Sequence, residues 1–567
     1  MKQSCYMLTQ RTMKMGVDVG TDLKVCPYSV VFGGDFRVKT LDIKITGLII
    51  FLGLVLSFSG CTLQGDSEPL ITVEPESAVV RFGETKQFTV FRPADATVTW
   101  SVDDILGGNE GTVGTIDSTG LYTAPPDDED APERVRIRAK DQSGSSGPAT
   151  AFLTTFDSNT RISTNYAKMA GRADTYSAGQ RGIAVYKDPD DPDDGDIHVY
   201  IVWADNSKGG SRIWFTKSDD GGETFNTPEL VDEGSSLQQL SPSIAVDGDG
   251  IVYVVWEDDR ELDRDIYINK YDGSDFGTTH KVNSGLDFIT DYNSTPSIAI
   301  DSLGNIYVVW EYKEAGADDN FPWLYFAKSS NQGQTFSTPT RIAPGNSGRR
   351  PAIAIDSFRD AYVVWEDITF FPSSPTNIKI SKIEDDTPGT PQTISTYQSS
   401  NYHARFPSVA IGPGGRVYVV WQRALILNPG FDGEIISTYN FDLAKVNQTT
   451  LIADIRTPSF PDNQNVGVFG GKAYPSIAGD TDYIYIAWDD QRNNSKDIYF
   501  AKSNDGINFS QERIVNDSTG TWHEKPSIAV SDEKPYIGKP YVIWTDHRNT
   551  STVTTISPND VYFSKED

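Results

Sequence analysis

The sequence has only three cysteines, and all of them lie at or before residue 61. No disulfide can form within the rest of the chain, so its fold has to rest on packing alone. Positive charge is also scarce: 49 Lys and Arg stand against 79 Asp and Glu, which gives a formal net charge of -30. Because so acidic a surface repels phosphate backbones and anionic headgroups, we expect no nucleic-acid partner.

Long hydrophobic runs are missing, with one exception. Residues 45–58 read ITGLIIFLGLVLSF, follow several basic residues and precede Ser59, Gly60 and Cys61. A run this short does not span a bilayer comfortably, and the order of basic, apolar and small residues is that of a secretory signal. The segment resembles a bacterial lipoprotein signal, which implies a lipid anchor on Cys61. Ordinary secretion and an uncleaved anchor are the alternatives.

The resemblance also sets the expected boundaries and location. Residues 1–60 are then the leader and signal, and its unusual length suggests a start near Val38, with residues 1–37 not translated. Residues 61–68 form a polar tether. We expect the protein in the cell envelope or at the cell surface, at the bacterial outer membrane, with no membrane contact except through the lipid.

Tryptophan marks a repeat through the C-terminal two thirds of the chain. The unit is clearest at residues 242–270, PSIAVDGDGIVYVVWEDDRELDRDIYINK, which predicts three short strands. Its central tryptophan recurs at intervals of 53 to 67 residues, as Trp203, Trp256, Trp310, Trp365, Trp421, Trp488 and Trp544. Several strands in each of seven such units are typical of a β-propeller. We therefore predict an all-β chain with a seven-bladed β-propeller over residues 157–567.

The two ends of the repeat region predict how the ring closes. The last repeat stops after its third strand, at Ser564, and so lacks a fourth. Fourth strands elsewhere begin with a basic and an aliphatic residue, and the same pattern, Arg161-Ile162-Ser163, stands before the first repeat. We expect residues 159–165 to complete the seventh blade and remove its open edge.

Residues 69–156 show a different pattern of short strands separated by Gly, Pro, Asp and Asn, which predicts a β-sandwich. The segments FGETKQF at 82–88, VTWSV at 98–102 and GTIDSTGLYTAP at 114–125 resemble bacterial immunoglobulin-like domains. The resemblance implies an N-terminal immunoglobulin-like domain that serves as a spacer or stalk.

Two turns of the repeat region resemble the Asp-box of sialidase-like propellers. They read SDDGGETF at 218–225 and SSNQGQTF at 329–336. Their Asp or Asn, Gly and aromatic residue are expected to brace a turn and not to perform chemistry. Sialidases of this superfamily hold a carboxylate with three arginines and carry an Arg-Ile-Pro motif, which this chain lacks, so no catalytic residue is carried over. Tyr402, Tyr474 and Glu524 have side chains suited to catalysis, but no motif assigns them that role.

The loops after the second strands and before the first strands should open on one face of the ring, and they concentrate cations and histidines there. The candidate ligand-binding residues are Arg349, Arg350, His403, Arg405, His523, Arg260, Arg492 and Arg548. A basic patch on an acidic molecule fits an anion or a carbohydrate. The alternative for the repeated Asp and Arg of the W-x-D-x-R strings is ion pairing between adjacent blades.

No cofactor is expected, with one alternative. Residues 188–196 crowd six acids into one turn without EF-hand spacing. Calcium could bind there, at Asp190, Asp193, Asp194 and Asp196, or the loop is only solvated.

These observations predict a monomeric surface lipoprotein whose propeller binds a glycan or a surface or envelope protein without catalysis. A sialidase-like glycoside hydrolase and an envelope assembly scaffold are the alternatives.

Overall fold

The structure, a computed structural model, describes residues 71–163 and 181–566 with internal gaps, together with three two-residue strands elsewhere. The longest gaps are 188–196, 427–435, 457–471 and 549–559. Two of the short strands, Tyr6–Met7 and Lys24–Val25, pair with each other and belong to a separate unit, residues 1–66. The expected signal, Cys61 and the tether at 61–68 lie outside the described residues. No helix in the described part of the chain is long and apolar enough to cross a membrane.

The first part of the larger unit is a β-sandwich. One sheet has the order Ser77–Arg81, Ser146–Thr154, Arg134–Asp141, Val98–Val102 and Ile105–Leu106. The facing sheet has the order Thr85–Gln87, Leu121–Thr123, Gly114–Ile116 and Gly108–Asn109, and Thr72–Glu74 pairs with Thr89–Phe91. Alternate residues of these strands point inward and bury Phe88, Trp100 and Tyr122 in one core.

Seven further sheets follow within the described residues, and we call them blades one to seven in chain order. Blade one contains Ala173–Asp174, Ile183–Lys187, Ile197–Asp205, Arg212–Ser218 and Glu229–Leu230. Blade two contains Gln239–Val246, Val252–Asp258, Asp265–Tyr271 and His280–Lys281. Blade three contains Tyr292–Ile300, Ile306–Lys313, Trp323–Ser329 and Thr340–Arg341. Blade four contains Gly348–Ile355, Ala361–Asp367, Asn377–Glu384, Thr387–Pro388 and Gln392–Thr393.

The remaining three blades repeat the same antiparallel order. Blade five contains Tyr402–Gly412, Arg416–Ile426, Ile436–Val446 and Ala453–Arg456, with a single 3₁₀ turn at Pro413–Gly415. Blade six contains Lys472–Gly479, Ile484–Asp490, Asp497–Ser503 and Arg513–Ile514. Blade seven contains His523–Val530, Pro540–Asp546 and Asp560–Lys565, and Thr160–Arg161 pairs with its third strand. The last pairing joins the two ends of the repeat region in one sheet.

Buried clusters between neighbouring blades hold the ring together. Each of seven clusters in the described residues joins two consecutive blades, and the cluster of Ile183, Trp203, Ile543 and Val561 joins blade seven to blade one. The seven repeated tryptophans are at most 2% exposed. The chain is therefore an all-β protein with a closed β-propeller, whose first strands line a central cavity.

The two faces of the ring differ in their loops. We call the face that carries the loops after the second strands and before the first strands the upper face, and the opposite one the lower face. The Asp-box-like turn lies on the lower face, where Ser218 Oγ contacts Asp220 Oδ1 (2.7 Å) and accepts the Gly222 N–H (2.8 Å). A Cβ on Gly222 would lie 2.5 Å from the Phe563 ring, so this turn needs glycine where it meets blade seven.

The sandwich packs against blade six, a contact that a spacer or stalk does not require. Phe152 joins the buried cluster of Trp488 and Ile514. The Thr154 hydroxyl donates to the Ile514 carbonyl (2.5 Å), and the Arg513 guanidinium donates to the Ala131 carbonyl (3.1 Å). The sandwich and blade six therefore share a core and hydrogen bonds.

Candidate functional site

The first strands of blades two to seven share an irregularity at the upper face. Just before its proline, each strand shifts register against the second strand. The residue before the proline has a left-handed backbone although it is not glycine. These six residues, the bulge residues, are Ser241, Thr295, Arg350, Phe406, Tyr474 and Lys525, with φ from 47° to 57°. Such a conformation costs about 1–3 kcal/mol for each residue, so surrounding contacts have to hold it.

Acids of the preceding blade hold the bulges of blades three, four and five. The Thr295 N–H donates to Glu257 Oε1 (2.9 Å), and the Phe406 N–H donates to Glu366 Oε1 (2.6 Å). In the same way the Arg350 N–H donates to Glu311 (2.7 Å). Each of these acids directly follows the repeated tryptophan. The glutamate that follows the repeated tryptophan thus contacts the next blade and fixes its bulge.

Three consecutive bulge side chains form a row at the mouth of the ring. The Arg350 guanidinium lies 4.3 Å from the centre of the Phe406 ring, and the Phe406 and Tyr474 rings are 4.6 Å apart at 49°. All three side chains are half-buried, and Arg350 Nη1 also donates to Glu366 Oε2 (2.7 Å). The bulges of blades four, five and six therefore present one cation and two aromatic rings side by side.

A charged group continues this row towards blade seven. Lys496 Nζ lies 3.1 Å from Glu524 Oε2 and 5.9 Å from the centre of the Tyr474 ring. His547 Nε2 lies 3.4 Å from Glu524 Oε1. Although burial opposes it, hydrogen bonding from His547 and the charges of Lys496 and Lys525 lower the pKa of Glu524 to about 2. Glu524 is therefore a carboxylate at any ordinary pH.

Asp489 lies beneath this group and is fully buried. It occupies the position after Trp488 where blades two, three and four have glutamate, and its side chain is one methylene shorter. Neither of its carboxylate oxygens accepts a hydrogen bond of ordinary geometry, and the Lys496 ammonium is 3.8 Å away. Burial raises the pKa of Asp489 to about 7, against the effects of Lys496 and the Lys525 N–H.

The repeated W-x-D-x-R strings form ion pairs, but mainly within one blade. Asp258 accepts from the Trp256 indole (2.9 Å) and from Arg260 (2.5 Å) of its own blade. Arg260 lies 4.2 Å from the centre of the Tyr267 ring and also pairs with Asp232, beyond the fourth strand of blade one. Of the ion pairs expected between adjacent blades, this string thus forms only the one between Arg260 and Asp232.

The same arrangement recurs in blades six and seven. Arg492 pairs with Asp490 (2.6 Å), with Glu512 and with Glu133 of the sandwich (3.4 Å). Arg548 pairs with Asp546 (2.7 Å) and with Asp517 (2.6 Å). With the pair of Arg350 and Glu366, four of the eight candidate binding residues, Arg260, Arg350, Arg492 and Arg548, therefore already neutralise carboxylates of the protein.

Both candidate histidines lie in the interior. His523 is 0% exposed, its Nδ1 contacts the Lys496 carbonyl (2.9 Å), and its Nε2 lies 3.4 Å from Asp546. His403 is 2% exposed and accepts the Thr376 N–H at 3.4 Å. Neither imidazole is accessible to a ligand at the surface.

The candidate arginines of blades four and five lie at the mouth. Arg350 is a bulge residue itself, and Arg349 and Arg405 each stand directly before one and are half-buried. Phe406 and Lys496 were not among the candidates. The signal that could have found Phe406 is the residue before each repeated proline, because its chemistry differs from blade to blade while its neighbours repeat.

One acidic cluster in the described residues has metal-like spacing, at Glu261, Asp263 and Asp265. A cation of the protein already lies there: Lys281 Nζ is 2.7 Å from Asp265 Oδ2 and 3.1 Å from Glu261 Oε2. We therefore assign no metal to this cluster. Asp190, Asp193, Asp194 and Asp196 lie outside the described residues.

Comparison with known proteins gives solved structures only, since no protein-family model and no curated protein matches. An ulvan lyase of a polysaccharide lyase family is 9% identical, with a TM-score of 0.45 over 68% of this chain and 94% of its own. The polysaccharide lyase Uly1 is 10% identical, with a TM-score of 0.43 over 68% and 90%. The Hadza microbial sialidase Hz136 is 12% identical, with a TM-score of 0.38 over 65% and 73%. Similarity this low transfers no activity to the chain.

Proposed function

We propose that the propeller binds an acidic carbohydrate at its upper mouth, over Phe406 and Tyr474, without catalysis. The observation that carries the proposal is the row of Arg350, Phe406 and Tyr474, in which two aromatic rings adjoin a cation. As further parts of this proposal, the protein is a surface lipoprotein anchored at Cys61 and acts as a monomer.

The aromatic pair supports a sugar as the ligand. Both residues are only half-buried, so part of each side chain is accessible to a ligand, and an aromatic ring can pack against the C–H groups of a pyranose. The rings of Phe406 and Tyr474 already pack against each other, and Arg350 packs against Phe406, so little side-chain freedom is lost when a ligand packs against them. The site is therefore preorganised for a flat, partly apolar ligand.

The surrounding charges support an acidic sugar. Arg349, Arg405 and Lys525 lie on this face of a chain whose formal net charge is -30, together with Arg350 and Lys496, which already pair with carboxylates of the protein. Cations collected at the mouth of an acidic molecule attract an anion locally, while the rest of the surface repels it. A carboxylate or sulfate on the sugar would interact with these side chains.

The ionisation of the two nearby acids argues against glycoside hydrolysis. A general acid has to carry a proton and reach the glycosidic oxygen. Glu524, with a pKa of about 2, carries no proton at neutral pH, and Asp489, with a pKa near 7, is 0% exposed. A sialidase-like hydrolase is the second candidate, because Tyr474 and Glu524 both adjoin Lys496.

An array of uronic-acid, sialic-acid and sulfated oligosaccharides, each with its neutral counterpart, tests the proposal. We expect binding to acidic members only, and a loss of at least about fivefold in Phe406→Ala and in Tyr474→Ala, since one packed aromatic contributes about 1–3 kcal/mol. Phe358→Ala is the matched control, because Phe358 is 79% exposed in a lower-face turn of blade four.

Three results would contradict the proposal in different ways. Turnover of an arrayed glycoside, lost in Tyr474→Ala, would establish the hydrolase. An array without binding, together with capture of a defined envelope protein, would establish the scaffold. Equal loss in Phe358→Ala and Phe406→Ala would show that the mouth is not the site.

A further inference from the structure

The central cavity carries a charged residue that is not part of the row of side chains at the mouth. It has a volume of about 270 Å³ and is lined by the first strands of all seven blades. Ile, Ala and Val make up almost all of this lining, as at Ile244–Val246 and Ile298–Ile300. Arg181 is the one charged residue of the lining among the described residues.

Arg181 stands where the repeat is broken. In blades two to seven the strings Pro-Ser-Ile, Pro-Ala-Ile or Pro-Ser-Val begin the inner part of the first strand, as at Pro242, whereas blade one has Arg181-Gly182-Ile183. The hydrogen bond to the next blade changes with it: the Ile244 N–H donates to the Arg181 carbonyl (2.9 Å), whereas in blades five and six a serine hydroxyl at the position of Gly182 accepts the equivalent N–H. The position that proline occupies in blades two to seven therefore carries a long cationic side chain in blade one.

The guanidinium reaches across the ring. Arg181 Nη2 donates to the backbone carbonyl of Val409 (3.1 Å) in blade five, which is not a neighbour of blade one. No carboxylate among the described residues pairs with Arg181. Arg181 is half-buried, and this partial loss of water lowers the pKa of its guanidinium.

A cation in an apolar cavity is unfavourable unless an anion is near it. The guanidinium has five N–H donors in a planar fork, and the contact with Val409 uses one of them. A small planar oxyanion can accept two of the others side by side, and the cavity has room for such an ion together with water.

We propose that the central cavity is a binding site for a small oxyanion of the carboxylate type, held by Arg181. The site is separate from the proposed carbohydrate site, whose aromatic rings lie on the bulges at the mouth. One internal alternative exists: Asp174 is the only acid in residues 164–180, which precede Arg181, and its carboxylate could replace the ion.

Thermal unfolding of the full chain in increasing sodium formate tests the proposal. We expect the melting temperature of the wild type to rise with formate and to saturate. Arg181→Met should lose the saturable part. Arg212→Met is the matched control and should keep it, because that guanidinium also donates to a backbone carbonyl, of Gly234 (2.8 Å), but lies outside the cavity.

Further variants separate the alternatives. Asp174→Asn should leave the formate response unchanged; a response that appears or grows in this variant would identify Asp174 as the internal partner and overturn the proposal. Phe406→Ala should also leave it unchanged, so that failure of the carbohydrate site and failure of the anion site give different results. A saturable response retained in Arg181→Met, or absent from the wild type, would refute the anion site.

A measurement on the wild type covers the case in which Arg181→Met does not fold. Bromide soaked into crystals should give an anomalous peak beside the Arg181 guanidinium, within the cavity. A cavity without such a peak would overturn the proposal whatever the variants do.

Discussion

Removal of the Glu366 carboxylate tests how the mouth of the ring is held. Glu366 is 2% exposed and makes two contacts: its Oε1 accepts the Phe406 N–H (2.6 Å) and its Oε2 accepts Arg350 Nη1 (2.7 Å). Both contacts act on bulge residues with left-handed backbones. Loss of this one side chain therefore releases two strained positions at once.

The expected effect follows from these two contacts. A buried N–H left without an acceptor costs about 1–3 kcal/mol, and breaking a buried ion pair costs about 3–5 kcal/mol. The Arg350 side chain is 25% exposed, so water recovers part of the second amount. We expect Glu366→Ala to lower the free energy of unfolding by about 2–4 kcal/mol. Glu366→Gln keeps an acceptor for Phe406 and should lose about 1–2 kcal/mol.

The assay is the urea midpoint of the full chain, followed by tryptophan fluorescence. Glu384→Ala is the control in the same blade, because the Glu384 side chain is 67% exposed and its pair with Lys382 is long (3.4 Å), so its loss should stay below about 0.5 kcal/mol. Equal midpoints for Glu366→Ala and Glu384→Ala would refute the reasoning that this acid holds the bulge.

Three further changes have definite expected outcomes. Asp489 binds its proton more tightly in the folded state, with a pKa of about 7, than in the unfolded state, near 4, so the protein should lose stability as pH rises from about 4 to 7. Asp489→Asn should remove that loss and be more stable than the wild type by about 1–3 kcal/mol at pH 8 in the urea midpoint; an unchanged pH profile would contradict the assignment. Arg161→Ala should lower stability by about 1–3 kcal/mol, because Arg161 pairs with the buried Asp560 (2.6 Å) at the closing strand, whereas Arg138→Ala, at an exposed pair in the sandwich, should change it by less than about 0.5 kcal/mol. Deletion of residues 157–166 should unfold or oligomerise the chain, and a stable monomer with unchanged melting would argue against non-covalent closure.

Much of the architecture could be predicted because it repeats. The spacing of tryptophans such as Trp256 and Trp365 predicts the sheets, since each repeat has to bury one large ring between neighbouring blades. The Arg161-Ile162-Ser163 string predicts a strand that pairs with the end of the chain, and the structure has that pairing. A repeat in the sequence predicts the features that all blades share, which are the strands, the buried tryptophans and the order of the sheets.

The candidate site could be predicted only in part, because it depends on backbone geometry that the pattern does not specify. Nothing in the sequence states that Phe406 has φ of 52°, yet that turn of the backbone places its ring beside Tyr474. His523 was a candidate because of its position before a first strand, but Asp497 and Asp546 surround it in the interior. Position in a loop predicts the face of the ring and does not predict burial.

The packing of the sandwich on blade six has a mechanical consequence. The closing strand is only two residues long, Thr160–Arg161, and a pull along the chain from the N-terminal side would peel it from blade seven if it carried the load. Thr154 and Arg513 tie the sandwich to blade six upstream of that strand, so tension reaches the ring first as shear across a shared core. The pairing of Thr160–Arg161 with blade seven thus does not carry the force first, and the propeller can stay closed while its N-terminal side is under tension.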